Sequence, residues 1–214
     1  MAAKTIETKI LFLCISAALI TEVAISMASS ETPYLPMPIL GTARVAEIFL
    51  FVLIVSIWGS GVSSIGLDRE NLAPGLWNGL VWSAAFGLVA LLGFGVLYVA
   101  GRNPLDLIKT HVPSGVADTL LFFAIGGLVA PVAEEIFFRG IVYGFLRRWG
   151  MVVALVGSTL IFVLAHAIQS GVPLTQIVGG IVFALAYEMT DNLMVPITIH
   201  VLGNTAIFAL SLLA

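Results

Sequence analysis

Charged residues are scarce in this chain. They make up 10% of its 214 residues, with 9 Lys and Arg against 12 Asp and Glu, whereas a soluble domain usually carries about 25%. A net charge of −3 without any basic run excludes a protein that binds nucleic acid by electrostatic attraction. The single cysteine, Cys14, excludes a disulfide framework, a CxxC redox pair and a zinc site built on cysteine ligands.

Hydrophobic residues, in contrast, make up 60% of the chain, and the mean hydropathy is +1.12. Because a helix needs about 20 apolar residues to cross a bilayer, the hydrophobic runs predict seven spans, at residues 10–27, 45–65, 76–100, 116–146, 151–168, 174–189 and 194–213. An eighth span results if the fourth run breaks at Pro131. We therefore predict an all-α, polytopic transmembrane helix bundle with lipid as its surroundings.

The first run also has features of a signal peptide, with Lys4 and Lys9 before it and a small-residue site at 26–28. We favour an uncleaved span, because the run is long and Glu22 interrupts it near its end. The positive-inside rule places the N-terminus in the cytoplasm by five basic residues to three. The cytoplasmic set is Lys4, Lys9, Arg69, Arg147 and Arg148, and the opposite set is Arg44, Arg102 and Lys109.

Two adjacent carboxylates and an arginine, Glu134, Glu135 and Arg139, interrupt the fourth run. A charge at this depth costs at least about 2.5–3.5 kcal/mol, so such residues are functional candidates. Glu135 and Arg139 lie one helical turn apart and are expected to pair. Glu134 points about 100° away, which leaves it unpaired and suited to act as a general base. The alternative is a buried ion pair that only joins helices, but such a pair would not need Glu134.

Two further runs carry isolated polar side chains. Phe162 precedes His166 by one turn in the fifth run, and His200 precedes Asn204 by one turn in the seventh. Taken singly, His166 could be a core histidine bonded to a carbonyl, and the His200–Asn204 pair could be interhelical hydrogen bonding. Together with Glu134 they supply a base, two imidazoles and an amide donor, which suffice to activate a water and bind an oxyanion.

Other hydrolase signatures are missing from the sequence. There is no HExxH motif of a zinc protease, no Gly-x-Ser-x-Gly elbow, and no pair of intramembrane aspartates. Cys14 is a lone thiol in the first run, and we expect it to pack in the core. These absences leave the glutamate and histidine set as the candidate chemistry.

The motifs Glu134-Glu135-x-x-x-Arg139, Phe162-x-x-x-His166 and His200-x-x-x-Asn204 resemble those of the CPBP family, the CAAX proteases and bacteriocin-processing enzymes, also called the Abi family. The resemblance covers residues 118–213, and the three motifs occur there in the same order as in the family. It implies an intramembrane endopeptidase. We therefore divide the chain into variable N-terminal transmembrane helices, residues 1–115, and a catalytic helix core, residues 116–214.

The resemblance also implies roles for the motif residues. Glu134 would polarise the attacking water, His166 and His200 would hold it, and Asn204 would stabilise the oxyanion, while Glu135 and Arg139 would shape the site. We favour a metal-independent glutamic protease without a cofactor. In the alternative, Glu134, His166 and His200 bind zinc, but Glu134 is then both ligand and base.

The substrate is expected to be a membrane-anchored protein or peptide, cleaved near its C-terminus. Short loops and the lack of a targeting segment favour a bacterial protein of the cell membrane. Relatives act on prenylated proteins, bacteriocins or C-terminal sorting signals, and no residue here selects among them. Two other functions stay open: a non-catalytic bacteriocin-immunity or scaffold protein of the same fold, and a small proton-coupled transporter.

Overall fold

The computed structural model describes residues 5–31, 36–166 and 173–213, and these residues form helices and turns without any strand. Seven long helices follow one another along the chain. They are α1 (Thr8–Glu31), α2 (Pro36–Trp58), α3 (Leu72–Val99), α4 (Val116–Trp149), α5 (Met151–Ala165), α6 (Leu174–Thr190) and α7 (Met194–Ser211). The all-α prediction and the order of the seven helices are confirmed.

The predicted bounds of α2 are wrong at both ends. The helix begins at Pro36, nine residues before the predicted start, and ends at Trp58. Pro36 and Pro38 both lie in its first turn, where the missing N–H groups have no helical acceptor in any case. After Trp58 the chain turns through Gly61, at φ 83°, into a short 3₁₀ helix at Val62–Ile65.

Pro131 does not divide α4, so the eight-span alternative is not seen in the described part of the chain. The helix instead widens into a π-helix at Ile125–Val129, just before the proline, and again at Ile136–Tyr143. A π-helical turn bonds each N–H to the fifth carbonyl before it, which accommodates a residue without an N–H. The second π segment begins directly after Glu135.

Five helical segments are long and apolar enough to cross a bilayer, and this confirms a multi-pass membrane protein. The remaining two, α5 with 15 residues and α6 with 17, are shorter than a typical span. The predicted fifth span ended at residue 168, but α5 ends at Ala165, and residues 167–172 lie outside the described residues.

The helices pack as α1 along α2, α3 along α7, and α5 with α6 beside α7, while α4 contacts most of the others. Gly75 and Gly79 let α3 approach α7 closely. A Cβ atom on Gly79 would lie 2.5 Å from Cβ of Thr198, and one on Gly75 would lie 2.4 Å from Oδ1 of Asn192. Small residues at four-residue spacing are typical of close helix packing in membranes.

The turn between α6 and α7 is buried beneath the loop that precedes α3. Leu193 is fully buried, and its N–H donates to the carbonyl of Gly66 at 3.0 Å. Gly66 adopts φ 75°, and a Cβ there would lie 2.9 Å from the carbonyl oxygen of Asp191, so only glycine fits. This contact fixes the start of α7 and therefore the position of His200 along the axis of the bundle.

Cys14 is fully buried in the main hydrophobic core, as its position in the first run led us to expect. That core joins α1 and α2 to α4 and to the α6–α7 turn. Its most completely buried members are Cys14, Val55, Ile65, Ile141, Ala154, Ala184 and Leu193.

Candidate functional site

Three helices bring one carboxylate and two imidazoles together. Oε2 of Glu134, on α4, lies 3.6 Å from Nε2 of His166 at the end of α5 and 3.8 Å from Nε2 of His200 on α7. Arg139 bonds Glu135 rather than Glu134, so the neighbours of Glu134 here are the two histidines that the motifs grouped with it. The face of α4 that carries Glu134 is turned toward these two histidines, which come from other helices, and Arg139 lies on a different face.

The opposite nitrogen of each imidazole already has an acceptor. Nδ1 of His166 lies 2.8 Å from the carbonyl oxygen of Phe162, and Nδ1 of His200 lies 2.7 Å from Oε1 of Glu135. A carbonyl and an ionised carboxylate only accept, so both Nδ1 atoms carry the hydrogen. Both Nε2 atoms consequently face Glu134, with a lone pair when the ring is neutral.

Glu135 and Arg139 form the predicted ion pair, with Nη1 of Arg139 2.9 Å from Oε1 of Glu135, and neither side chain is exposed. Nη2 of Arg139 donates to the carbonyl of Gly180 at 3.2 Å. The Oε1 atom of Glu135 thus accepts from both Arg139 and His200. The ion pair fixes one histidine rather than facing the site itself.

Aromatic rings surround this buried cation. The guanidinium of Arg139 lies 4.6 Å from the centroid of the Phe162 ring and 5.1 Å from that of Phe183. Phe183 also stacks on His200, with 4.6 Å between the ring centroids and 22° between the planes. Arg139 and these rings together restrict the imidazole to one orientation. The phenylalanine of the second motif therefore serves twice, as a carbonyl acceptor for His166 and as a ring beneath Arg139.

Exposure differs across the site. The side chain of His166 is 30% exposed and that of Glu134 19%, whereas that of His200 is 7% exposed. The site is thus open on the side of α5 and closed on the side of α7. Asn204 lies one turn beyond His200, partly buried, and its Nδ2 donates to the carbonyl of Gly126 on α4 at 3.0 Å.

The donor set of Glu134, His166 and His200 matches the ligand types of a His₂Glu zinc site. With bonds of about 2.0–2.1 Å, tetrahedral ligand atoms lie roughly 3.3 Å apart. Glu134 Oε2 is farther than this from both Nε2 atoms, and within the described ranges no three His, Cys, Asp or Glu side chains form a group that could hold a metal ion. As placed, these residues do not fit a metal, and we derive no step through one.

A second polar cluster, on α1 and α2, is absent from the sequence-based candidates. Arg44 donates to Glu47 at 2.6 Å and to Glu22 at 2.7 Å, and Thr21 donates to Glu47 at 2.5 Å. Glu47 is almost fully buried. The sequence does contain a signal for this cluster: Arg44 and Glu47 lie three residues apart within an apolar run.

The family comparison coincides with these helices. Residues 116–206 match the family model described as type II CAAX prenyl endopeptidase Rce1-like. This segment, less than half of the chain, is similar to that family. The matched residues contain Glu134, Glu135, Arg139, His166, His200 and Asn204, so the resemblance predicted from the three motifs is confirmed for the segment that carries them.

Two curated proteins are similar to the chain. The membrane-embedded CAAX protease MroQ of Staphylococcus aureus (strain USA300) is 34% identical over 100 residues, which cover 44% of this chain and 40% of MroQ. YdiL of Bacillus subtilis (strain 168), whose name proposes a membrane peptidase, is 27% identical over 150 residues, covering 67% of this chain and 61% of YdiL. The chain thus spans less than two thirds of either relative. No solved structure matches it significantly.

Proposed function

We propose that this protein is an intramembrane endopeptidase of the glutamic type. The proposal depends on one observation above all: a carboxylate oxygen of Glu134 faces the Nε2 atoms of His166 and His200, while each Nδ1 is held by another acceptor. The Rce1-like match and the names of the two relatives, a CAAX protease and a membrane peptidase, support the same activity.

The separations at the site suit a shared water. Distances of 3.6 and 3.8 Å are too long for direct hydrogen bonds. Each is short enough for a water oxygen to bridge Glu134 and that Nε2 atom, about 2.8 Å from both. Such a water can donate its two hydrogens to two of these three acceptors. The arrangement therefore holds one water in place for the attack, and it also orients the lone pairs of that water.

The chemical step follows from this placement. Glu134 takes a proton from the water as the water oxygen bonds to the peptide carbonyl carbon, and the carbonyl oxygen gains the negative charge. The N–H of Asn204 that does not bond Gly126, and whichever imidazole is protonated at Nε2, are the donors suited to this oxyanion. Glu134 then returns the proton to the peptide nitrogen, the carbon–nitrogen bond breaks, and a carboxylic acid and an amine leave.

The surroundings of the site favour a membrane-associated protein or peptide substrate, cut near its C-terminus. The exposed side of the site lies at α5, and polar segments are costly within hydrocarbon, so a bond near the end of a membrane-anchored chain is the proposed point of cleavage. We also place the protein in the bacterial cell membrane with its N-terminus in the cytoplasm. The basic residues count five to three for this orientation.

The experiment uses the full chain in proteoliposomes and a library of internally quenched peptides that carry a hydrophobic C-terminal anchor. Mass spectrometry identifies the cleaved bond, and the best-cleaved peptide becomes the assay substrate. We expect Glu134→Gln to lower turnover by about 10²–10⁴ while the protein inserts and unfolds as the wild type does. Glu70→Gln, at an exposed loop position, is the matched control and should cleave normally. Full cleavage by Glu134→Gln would make this carboxylate structural and overturn the glutamic mechanism, whereas a wild type that cleaves no peptide of the library would support a scaffold.

A further inference from the structure

Asn204 is held by a backbone carbonyl that a regular helix would not offer. Within α4 the N–H of Ala130 donates to Ile125, five residues earlier, which is the π-helical pattern. The next carbonyl, that of Gly126, would in this pattern accept from residue 131. Residue 131 is proline and has no N–H. The carbonyl of Gly126 is therefore left for another donor, and Nδ2 of Asn204 occupies it at 3.0 Å.

Two glycines allow α7 to come close enough for this bond. A Cβ on Gly126 would lie 3.3 Å from the ring of Phe208, and one on Gly127 would lie 3.3 Å from Oγ1 of Thr205. Phe208 in turn packs on Phe122, with 4.3 Å between ring centroids. The approach of α7 to the π segment is thus fixed by Thr205 and Phe208, one and four residues after Asn204.

The bond decides how the amide is oriented. A carbonyl only accepts, so the amide must turn its nitrogen rather than its oxygen toward Gly126. One of its two N–H groups is used in this way, and the other remains for a second acceptor. Because Asn204 follows His200 by four residues, both side chains project from the same face of α7 toward α4, His200 to Glu134 and Asn204 to Gly126.

We propose that Pro131 is a positioning residue for Asn204. By leaving the Gly126 carbonyl without a backbone donor, it creates the acceptor that holds the amide, with its second N–H available to the oxyanion. The inference rests on the proposed function, since it assigns Asn204 the oxyanion donor of that reaction. It adds a residue from outside the three motifs, and it gives the π segment Ile125–Val129 a role in the chemistry.

The test is Pro131→Ala in the full chain, measured with the best-cleaved peptide. A residue with an N–H supplies a donor to Gly126, either from position 131 in the π pattern or from Ala130 if the turn becomes α-helical. Asn204 then loses its anchor. We expect kcat to fall about tenfold or more, toward the loss of about 10²–10³ expected for Asn204→Ala, with KM within about twofold of wild type. Pro74→Ala, in the exposed first turn of α3, is the matched proline control and should be normal.

Two further measurements separate positioning from simple damage. The double variant Pro131→Ala/Asn204→Ala should be no slower than Asn204→Ala alone, because both changes remove the same donor. In the ¹⁵N spectrum of asparagine-labelled protein in detergent micelles, Pro131→Ala should shift the side-chain amide of Asn204, assigned by its loss in Asn204→Ala. This readout needs no catalysis. If Pro131→Ala does not fold, Pro131→Gly supplies the same N–H without a side chain.

The outcomes distinguish the two proposals. Normal cleavage by Asn204→Ala would contradict its role as the oxyanion donor and with it the proposed mechanism. Slow cleavage by Asn204→Ala combined with normal kcat and an unshifted amide signal in Pro131→Ala would overturn the inference about Pro131 alone. An additive loss in the double variant would likewise show that Pro131 acts apart from Asn204.

Discussion

Removing Arg139 should destabilise the protein far more than removing an exposed arginine. Arg139→Ala deletes a 2.9 Å bond to Glu135, a 3.2 Å bond to the Gly180 carbonyl and the contact with the Phe162 ring at 4.6 Å. It leaves the fully buried carboxylate of Glu135 with the bond to His200, since among the described residues Oε2 has no hydrogen-bond partner. Breaking a buried pair in this way costs about 3–5 kcal/mol.

The assay is equilibrium unfolding of the purified chain in mixed micelles of a mild detergent and SDS, followed by circular dichroism. Arg102→Ala, in an exposed loop, is the matched control and should change stability by less than about 0.5 kcal/mol. The double variant Glu135→Leu/Arg139→Met should recover most of the lost stability, because no unpaired charge remains. It should stay inactive, because Nδ1 of His200 has lost the oxygen that orients its ring.

Two outcomes would refute this account of the ion pair. An unfolding midpoint of Arg139→Ala equal to that of wild type would show that Glu135 does not depend on Arg139. A double variant as unstable as the single one would show that the loss came from packing around the guanidinium rather than from the unpaired carboxylate.

The remaining predictions concern packing and metal. Gly79→Ala should lower stability by about 1–3 kcal/mol, since its Cβ would lie 2.5 Å from Thr198, whereas Gly87→Ala on the same helix meets nothing within 4 Å and should be neutral in the same unfolding assay. We also expect cleavage to survive dialysis against a strong chelator, measured with the proteoliposome assay. Loss of activity on dialysis and its return with stoichiometric zinc would assign Glu134, His166 and His200 as ligands instead.

The sequence predicted the helices well because apolar runs in a membrane protein are bounded by lipid thickness as much as by local propensity. The Glu135–Arg139 pair was equally predictable, since i,i+4 spacing on one helix suffices to place both side chains. The start of α2 was not. The hydrophobic run placed that start at residue 45, yet a helix tolerates proline throughout its first turn, and Pro36 and Pro38 occupy that turn.

Contacts between distant helices account for what the sequence did not predict. The grouping of Glu134 with His166 and His200 was expected from the ordered motifs and the family resemblance, but the run around Glu134 does not itself indicate which atoms of α5 and α7 face it. In the Glu22–Arg44–Glu47 cluster, Glu22 and Arg44 are 22 positions apart. Only the Arg44–Glu47 contact could be predicted from spacing along one helix. The partner of Asn204 is a backbone carbonyl, and its availability depends on a π-helical turn that side-chain patterns do not reveal.

The shortness of α5 has a consequence for the bilayer itself. Fifteen residues give a helix about 22 Å long, whereas the hydrocarbon core is about 30 Å thick. If α5 starts at the interface beside Arg147, Arg148 and Trp149, its far end, at His166, stops several ångströms short of the opposite surface. Lipids next to a short helix thin to match it. Water and the proposed peptide substrate would therefore reach the exposed side of the site across less hydrocarbon than beside α1, α2 or α3.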